Sequence, residues 1–141
     1  MKTKILKLAV ILLVLTGSFS CGKDDVEYEI YEKHDISACG VIDPLKNIEW
    51  LAQFCDEHDN DYFIEIFLYK NKITDENHIV IETATKFKEG MSPSPIYTTS
   101  VYSCDGEKLL FNGTESPIPV GWEEFFEENE LIIRIWAVKA K

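Results

Sequence analysis

The sequence has few basic residues, no long apolar run and none of the common catalytic motifs. It carries 14 Lys and Arg residues against 25 Asp and Glu, a net charge of −11. Nucleic-acid affinity depends on neutralising phosphates with Lys and Arg, so this balance argues against a nucleic-acid partner. The apolar run at residues 8–15 is too short to span a bilayer. The absence of CxxC, GxSxG, HExxH, Walker and GxGxxG motifs gives no support to a redox enzyme, a serine hydrolase, a zinc protease or a nucleotide-dependent enzyme.

The N-terminal segment has the form of an export signal. Three lysines precede the apolar run, and small and polar residues follow it, which predicts a signal peptide over residues 1–20. The Gly-Ser-Phe-Ser-Cys segment at residues 17–21 resembles a bacterial lipobox, in which the cysteine is lipidated and becomes the first residue of the mature chain. The resemblance implies that Cys21 anchors the protein to a membrane through its acyl chains. An ordinary signal peptide that leaves Cys21 as a free thiol is the alternative.

The residues after Cys21 are acidic and bear on location. Residues 22–25 (Gly-Lys-Asp-Asp) resemble the signal that sends Bacteroidota lipoproteins to the outer face of the outer membrane, with a solvated linker on the periplasmic face as the alternative. Removing residues 1–20 removes three of the 14 basic residues and no acidic one, which takes the net charge from −11 to −14. Such acidity favours cationic or neutral partners. We predict an acidic tether over residues 21–37, and the alternation near its end also allows a first strand.

Three cysteines remain for the exported domain, so one is left over if two of them pair. Cys39 and Cys104 lie in predicted loops, whereas Cys55 lies on the apolar side of a predicted helix, where a thiol is usually a small buried group. We therefore predict a Cys39–Cys104 disulfide. Pairing of Cys55 with either of the other two stays open.

The stretch between the first two of these cysteines predicts the main helix of the chain. Pro44 suits the first helical position, and Asp43 before it suits the N-cap. From there to Glu57, the apolar residues fall on one continuous arc at helical spacing. An arc this broad predicts a helix that packs on a sheet.

Most of the chain after this helix shows strand patterns. Residues 62–70 and 78–85 predict two antiparallel strands, residues 96–111 a hairpin around an Asp-Gly turn, and residues 131–138 a last strand. Aromatic residues at helical spacing before the last strand predict one short helix. We therefore predict a single α+β domain over residues 38–141, with a curled antiparallel sheet of about five strands packed on one main N-terminal helix.

Several short motifs together resemble one protein family. They are Cys39-Gly40-Val41, Asp43-Pro44-Leu45, Trp50-Leu51 and, further on, Tyr102-Ser103-Cys104-Asp105-Gly106. This pattern is similar to that of small Bacteroidota lipoproteins with a CGV-x-DPL-x4-WL opening and a Tyr-x-Cys-Asp-Gly hairpin. The resemblance covers residues 39–111 and implies an exported, lipid-anchored α+β domain of unknown activity.

The sequence predicts neither a catalytic site nor a metal site, and it predicts no cofactor. The three histidines lie in separate segments without the spacing of a zinc site. We predict a lipid-anchored binding or interaction module that holds an extracellular or periplasmic protein or glycan. The alternative is a small glycan-processing accessory hydrolase that uses a carboxylate pair.

Overall fold

The computed structural model describes residues 26–85, 95–113 and 121–141. The predicted signal peptide and the predicted lipidation site Cys21 lie outside these residues. Strands make up 52% of the described residues and helices 20%. None of the helices in this part of the chain has the length and apolar character needed to cross a membrane.

The described elements are eight strands and three short helices. In chain order they are β1 (Tyr28–Glu32), β2 (Ser37–Ala38), β3 (Val41–Ile42), α1 (Pro44–Asn47), α2 (Glu49–Glu57), β4 (Phe63–Asn71), β5 (Asn77–Thr85), β6 (Ile96–Ser103), β7 (Lys108–Asn112), α3 (Trp122–Glu128) and β8 (Asn129–Ala140).

Six of these strands form one antiparallel sheet in the order β1-β8-β4-β5-β6-β7, and β2 pairs with β3 in a separate two-stranded ribbon. The strands β4 and β8 lie inside the sheet, with a neighbouring strand on each side. Their apolar sequences predict this position, because an internal strand is shielded from solvent along both of its edges. The register between β4 and β8 slips twice, which is typical of β-bulges that bend a sheet.

The predicted α+β class, with one main N-terminal helix packed on about five strands, is wrong. The chain is mostly β, and the predicted helix is divided into α1 and α2 by Ile48, which adopts the extended conformation (φ −100°, ψ 105°). Asn47 explains part of the division, because its side-chain amide donates to the backbone oxygen of Ile42 at 2.6 Å, outside the helix. Such side-chain bonds to the backbone compete with helix continuation.

The segment for which the sequence allowed either a tether or a first strand contains β1. β1 is an edge strand of the large sheet and pairs with β8, from Tyr28 opposite Ala140 to Glu32 opposite Trp136. Its acidic side chains are exposed, so an edge position leaves their charges in solvent.

The main hydrophobic core lies on one face of the large sheet. Ile66 of β4, Ile79 of β5 and Trp136 of β8 are almost fully buried there, and Leu45 of α1 and Leu51 of α2 belong to the same cluster. A second, smaller cluster lies on the opposite face, where α3 places Phe125 against Val80 and Val101. The sheet is therefore covered on both faces, but α3 is short and spans only part of the second one.

Candidate functional site beside the disulfide

A disulfide between Cys39 and Cys104 joins the β2–β3 ribbon to the β6–β7 hairpin, with the two Cα atoms 5.5 Å apart. This confirms the predicted pairing. Cys55 is free and buried, and burial raises the pKa of its thiol to about 12, so it stays protonated at neutral pH. The backbone N–H of Cys39 donates to the side-chain oxygen of Asn77 at 2.8 Å, which fixes the ribbon against β5.

The indole of Trp50 on α2 is held beside this disulfide. Its Nε1–H donates to the backbone oxygen of Cys104 at 2.9 Å, and its ring centroid lies 5.3 Å from that of Tyr102. The hairpin turn packs directly on the ring, since a Cβ added to Gly106 would lie 2.9 Å from Trp50 Cγ. The helix, the disulfide and the hairpin turn therefore form one connected unit.

A groove of about 470 Å³ opens along this unit. It is lined by Cys39, Val41, Asn47, Ile48, Glu49, Trp50, Gln53, Cys104 and Asp105. Both carboxylates among these residues are on exposed side chains, and the lining contains no Lys, Arg or His.

Each side-chain N–H donor group of the groove already makes a hydrogen bond. The amide nitrogen of Asn47 donates to backbone oxygens, that of Gln53 donates to Glu57 at 2.7 Å, and the Trp50 N–H is bonded to Cys104. The side chains of the groove therefore offer a ligand mainly acceptor oxygens, from two carboxylates and two amides. This arrangement suits a group that brings several N–H donors and positive charge.

A second polar arrangement involves Asp43. Asp43 occupies the N-cap position of α1, as predicted, but with a left-handed φ of 52° and no side-chain capping bond. Its carboxylate instead contacts Nδ1 of His34 at 3.0 Å, while Nε2 of the same ring lies 2.9 Å from Glu32. Because only the imidazolium has an N–H at both nitrogens, this geometry favours the protonated ring. The bonds to Asp43 and then Glu32 raise the pKa of His34, and the His34 bond lowers the pKa of Asp43.

Of the site residues predicted from the sequence, the structure brings Cys39 and Cys104 together, whereas Cys21 lies outside the described part. The groove itself was not predicted from the sequence. Glu49, Trp50 and Gln53 lie within about one turn of the predicted helix, but only the tertiary contacts of Cys104 with Cys39 and Trp50 place Asp105 next to them. Within the described ranges, no group of three or more His, Cys, Asp or Glu side chains is arranged to hold a metal ion.

The fold and the site define a mostly-β, disulfide-linked domain with an open, acceptor-lined groove. Comparison of the chain with protein-family models, curated proteins and solved structures finds no match. The resemblance to small Bacteroidota lipoproteins therefore stays a prediction.

Proposed function

We propose that this protein is a lipid-anchored binding module of the cell envelope, attached to the outer membrane through Cys21 and exposed at the cell surface. The basic, apolar and lipobox-like segments that precede Cys21 support the anchor, and the Lys-Asp-Asp sequence after it supports the surface location. The groove beside the Cys39–Cys104 disulfide is its binding site in this proposal.

The observation that carries the proposed binding role is the acceptor-lined groove. Carboxylate oxygens that face a ligand form charge-assisted bonds with ammonium or guanidinium groups, which are stronger than bonds between neutral groups. The net charge of −14 after signal removal would steer cationic molecules towards the domain. We therefore propose that the partner is a protein that presents Lys or Arg side chains to Glu49 and Asp105.

Binding can be tested by titrating the purified chain with a lysine- and arginine-rich peptide and with an acidic peptide of equal length. The indole of Trp50, one of the three tryptophans of the chain, lies in the groove, so the total tryptophan fluorescence should change with the basic peptide only. The double variant Glu49→Gln/Asp105→Asn should weaken binding by about tenfold or more, since two charge-assisted bonds are lost.

The matched control is Glu123→Gln/Glu124→Gln, which removes the same charge from exposed positions on α3. If both double variants weaken binding equally, the attraction is a property of the net charge and the groove is not the binding site.

The anchor and the location are tested in cells. Protease added to intact cells should remove the protein, and a Cys21→Ala variant should lose its membrane attachment. Protection from protease in intact cells would place the domain on the periplasmic side and contradict surface exposure.

A further inference from the structure

The sheet face opposite α1 and α2 carries a row of polar residues that is separate from the groove and from the cluster of His34, Asp43 and Glu32. The strand register places one residue from each strand in a single row across the sheet. In order, the row is Tyr31, Ala137, Glu65, Glu82, Thr99 and Asn112. On one side of the row, α3 packs on Phe67, Val80 and Val101. The other side is open at Tyr97, which is 64% exposed.

The centre of this row is a pair of carboxyl groups that is unfavourable for folding. Glu65 and Glu82 are directly opposite each other on neighbouring strands, where like charges destabilise a sheet. Burial raises the pKa of Glu82, and the charge of Glu65 raises it further. A pair of like charges that is kept although it destabilises the fold is typical of a functional site.

Arg134, the only arginine of the chain, holds the carboxylate of Glu65 in place. Its guanidinium donates to Glu65 at 2.6 Å and lies 4.7 Å from the centre of the Tyr31 ring. Among the described residues, the carboxyl group of Glu82 has no hydrogen-bond or ion-pair partner. The row therefore contains one fixed carboxylate and, beside it, one carboxyl group that is available to a ligand.

A small cavity adjoins the row on its open side. It has a volume of about 210 Å³ and is lined in part by Phe63, Ala84, Tyr97 and Lys139. These four residues are neighbours in the strand register, one row further along the same face. The cavity is smaller than the roughly 300–1,000 Å³ typical of drug-sized ligands, so it fits one ring-sized group.

From this arrangement we propose that the open half of the face binds a neutral oligosaccharide. The exposed ring of Tyr97 offers a negative π face to the C–H groups of a sugar ring, while Glu82, Thr99 and the Glu65–Arg134 pair bond its hydroxyls. Two carboxyl groups are balanced here by Arg134 and Lys139, so neither a cationic nor an anionic ligand is favoured. The hydroxyl group, which both donates and accepts, suits this mixed set.

The test is calorimetric titration of the purified full-length chain with cellohexaose, maltohexaose and chitohexaose. Binding of at least one of them is expected, and Tyr97→Ala should weaken it by about tenfold, as for the loss of one aromatic contact. Phe111→Ala is the control, because Phe111 is an exposed aromatic residue of β7 that pairs with Ser100 and therefore lies on the other face of the sheet. No binding of any of the three, or equal weakening in both variants, would overturn the proposal.

A second variant separates binding from stability. Glu82→Gln removes an unfavourable charge pair, so it should raise the melting temperature while it weakens oligosaccharide binding. A variant with a higher melting temperature and unchanged affinity would show that the pair has no part in binding. This experiment is independent of the basic-peptide titration of the groove, so either proposal can fail alone.

Discussion

At the scale of single residues, Gly106 is subject to two separate constraints. Its φ of +85° lies in the left-handed region, and an added Cβ would meet the ring of Trp50 at 2.9 Å. Gly40 shares only the first constraint, because its φ is +75° but nothing lies within 4 Å of an added Cβ. The two glycines therefore separate the cost of backbone conformation from the cost of a steric clash.

We expect Gly40→Ala to lower the free energy of unfolding by about 1–2 kcal/mol, the usual cost of a left-handed conformation with a Cβ. Gly106→Ala should cost at least about 1 kcal/mol more, because the indole must also shift. Urea denaturation of both variants measures the difference. Equal losses would show that the Trp50 ring moves freely and does not support the turn.

His34 predicts a pH dependence of stability. Its bonds to Asp43 and Glu32 raise its pKa in the folded state above the usual value of 6.5. A group with a raised folded pKa stabilises fully below its unfolded pKa, and this contribution disappears as pH rises through the folded value. Stability should therefore fall from pH 6 to pH 8, and less so in His34→Gln.

Thermal melts of the wild type and His34→Gln across this pH range provide the measurement. A wild-type melting temperature that does not change relative to the variant would contradict a charged ring between the two carboxylates.

At the scale of elements, the disulfide connects parts of the chain that are distant in sequence. It closes a separation of 65 residues and joins the β2–β3 ribbon to the β6–β7 hairpin. In the chain-entropy model, a loop of this size corresponds to about 4 kcal/mol. Cys39→Ser/Cys104→Ser should therefore lose about that much stability.

Cys55→Ala serves as the comparison for the disulfide variant. It removes one buried sulfur atom and should cost only about 1 kcal/mol.

In the folded wild type, a thiol reagent at pH 8 should leave Cys55 unmodified, because burial raises its thiol pKa to about 12. Rapid labelling would contradict the buried position.

The elements that the sequence predicted best are those determined by local pattern. The hairpin of residues 96–111 followed from its Asp-Gly turn, and Pro44 correctly predicted the start of α1. The division of the helix at Ile48 depends on the bond from Asn47 to Ile42, and β1 depends on pairing with β8 at the far end of the chain. No local pattern contains such contacts, so the class was predicted with one continuous main helix and too few strands.

The candidate sites show the same limit. The disulfide could be predicted because the export signal predicted an oxidising compartment and only two of the three remaining cysteines lay in predicted loops. The pair Glu65 and Glu82 could not, since the chain has 25 acidic residues and only the register of β4 against β5 selects these two.

At the scale of the whole molecule, the charge distribution bears on how the proposed basic partner would arrive. The chain without residues 1–20 carries a net charge of −14, spread over a small domain. The electrostatic field of such a net charge accelerates association with oppositely charged partners, and dissolved salt screens this field. Bonds inside the groove are shorter in range and are screened less.

Salt should therefore act mainly on the association rate. Between about 0.05 M and about 0.5 M NaCl, the rate constant for binding a basic peptide should fall by about tenfold or more, while the dissociation rate changes little. Stopped-flow measurement of the tryptophan fluorescence change gives both rates. In Glu123→Gln/Glu124→Gln, association should slow with dissociation unchanged, whereas Glu49→Gln/Asp105→Asn should also dissociate faster. If the groove variant affected association alone, its carboxylates would contribute only to the overall field and would not contact the peptide.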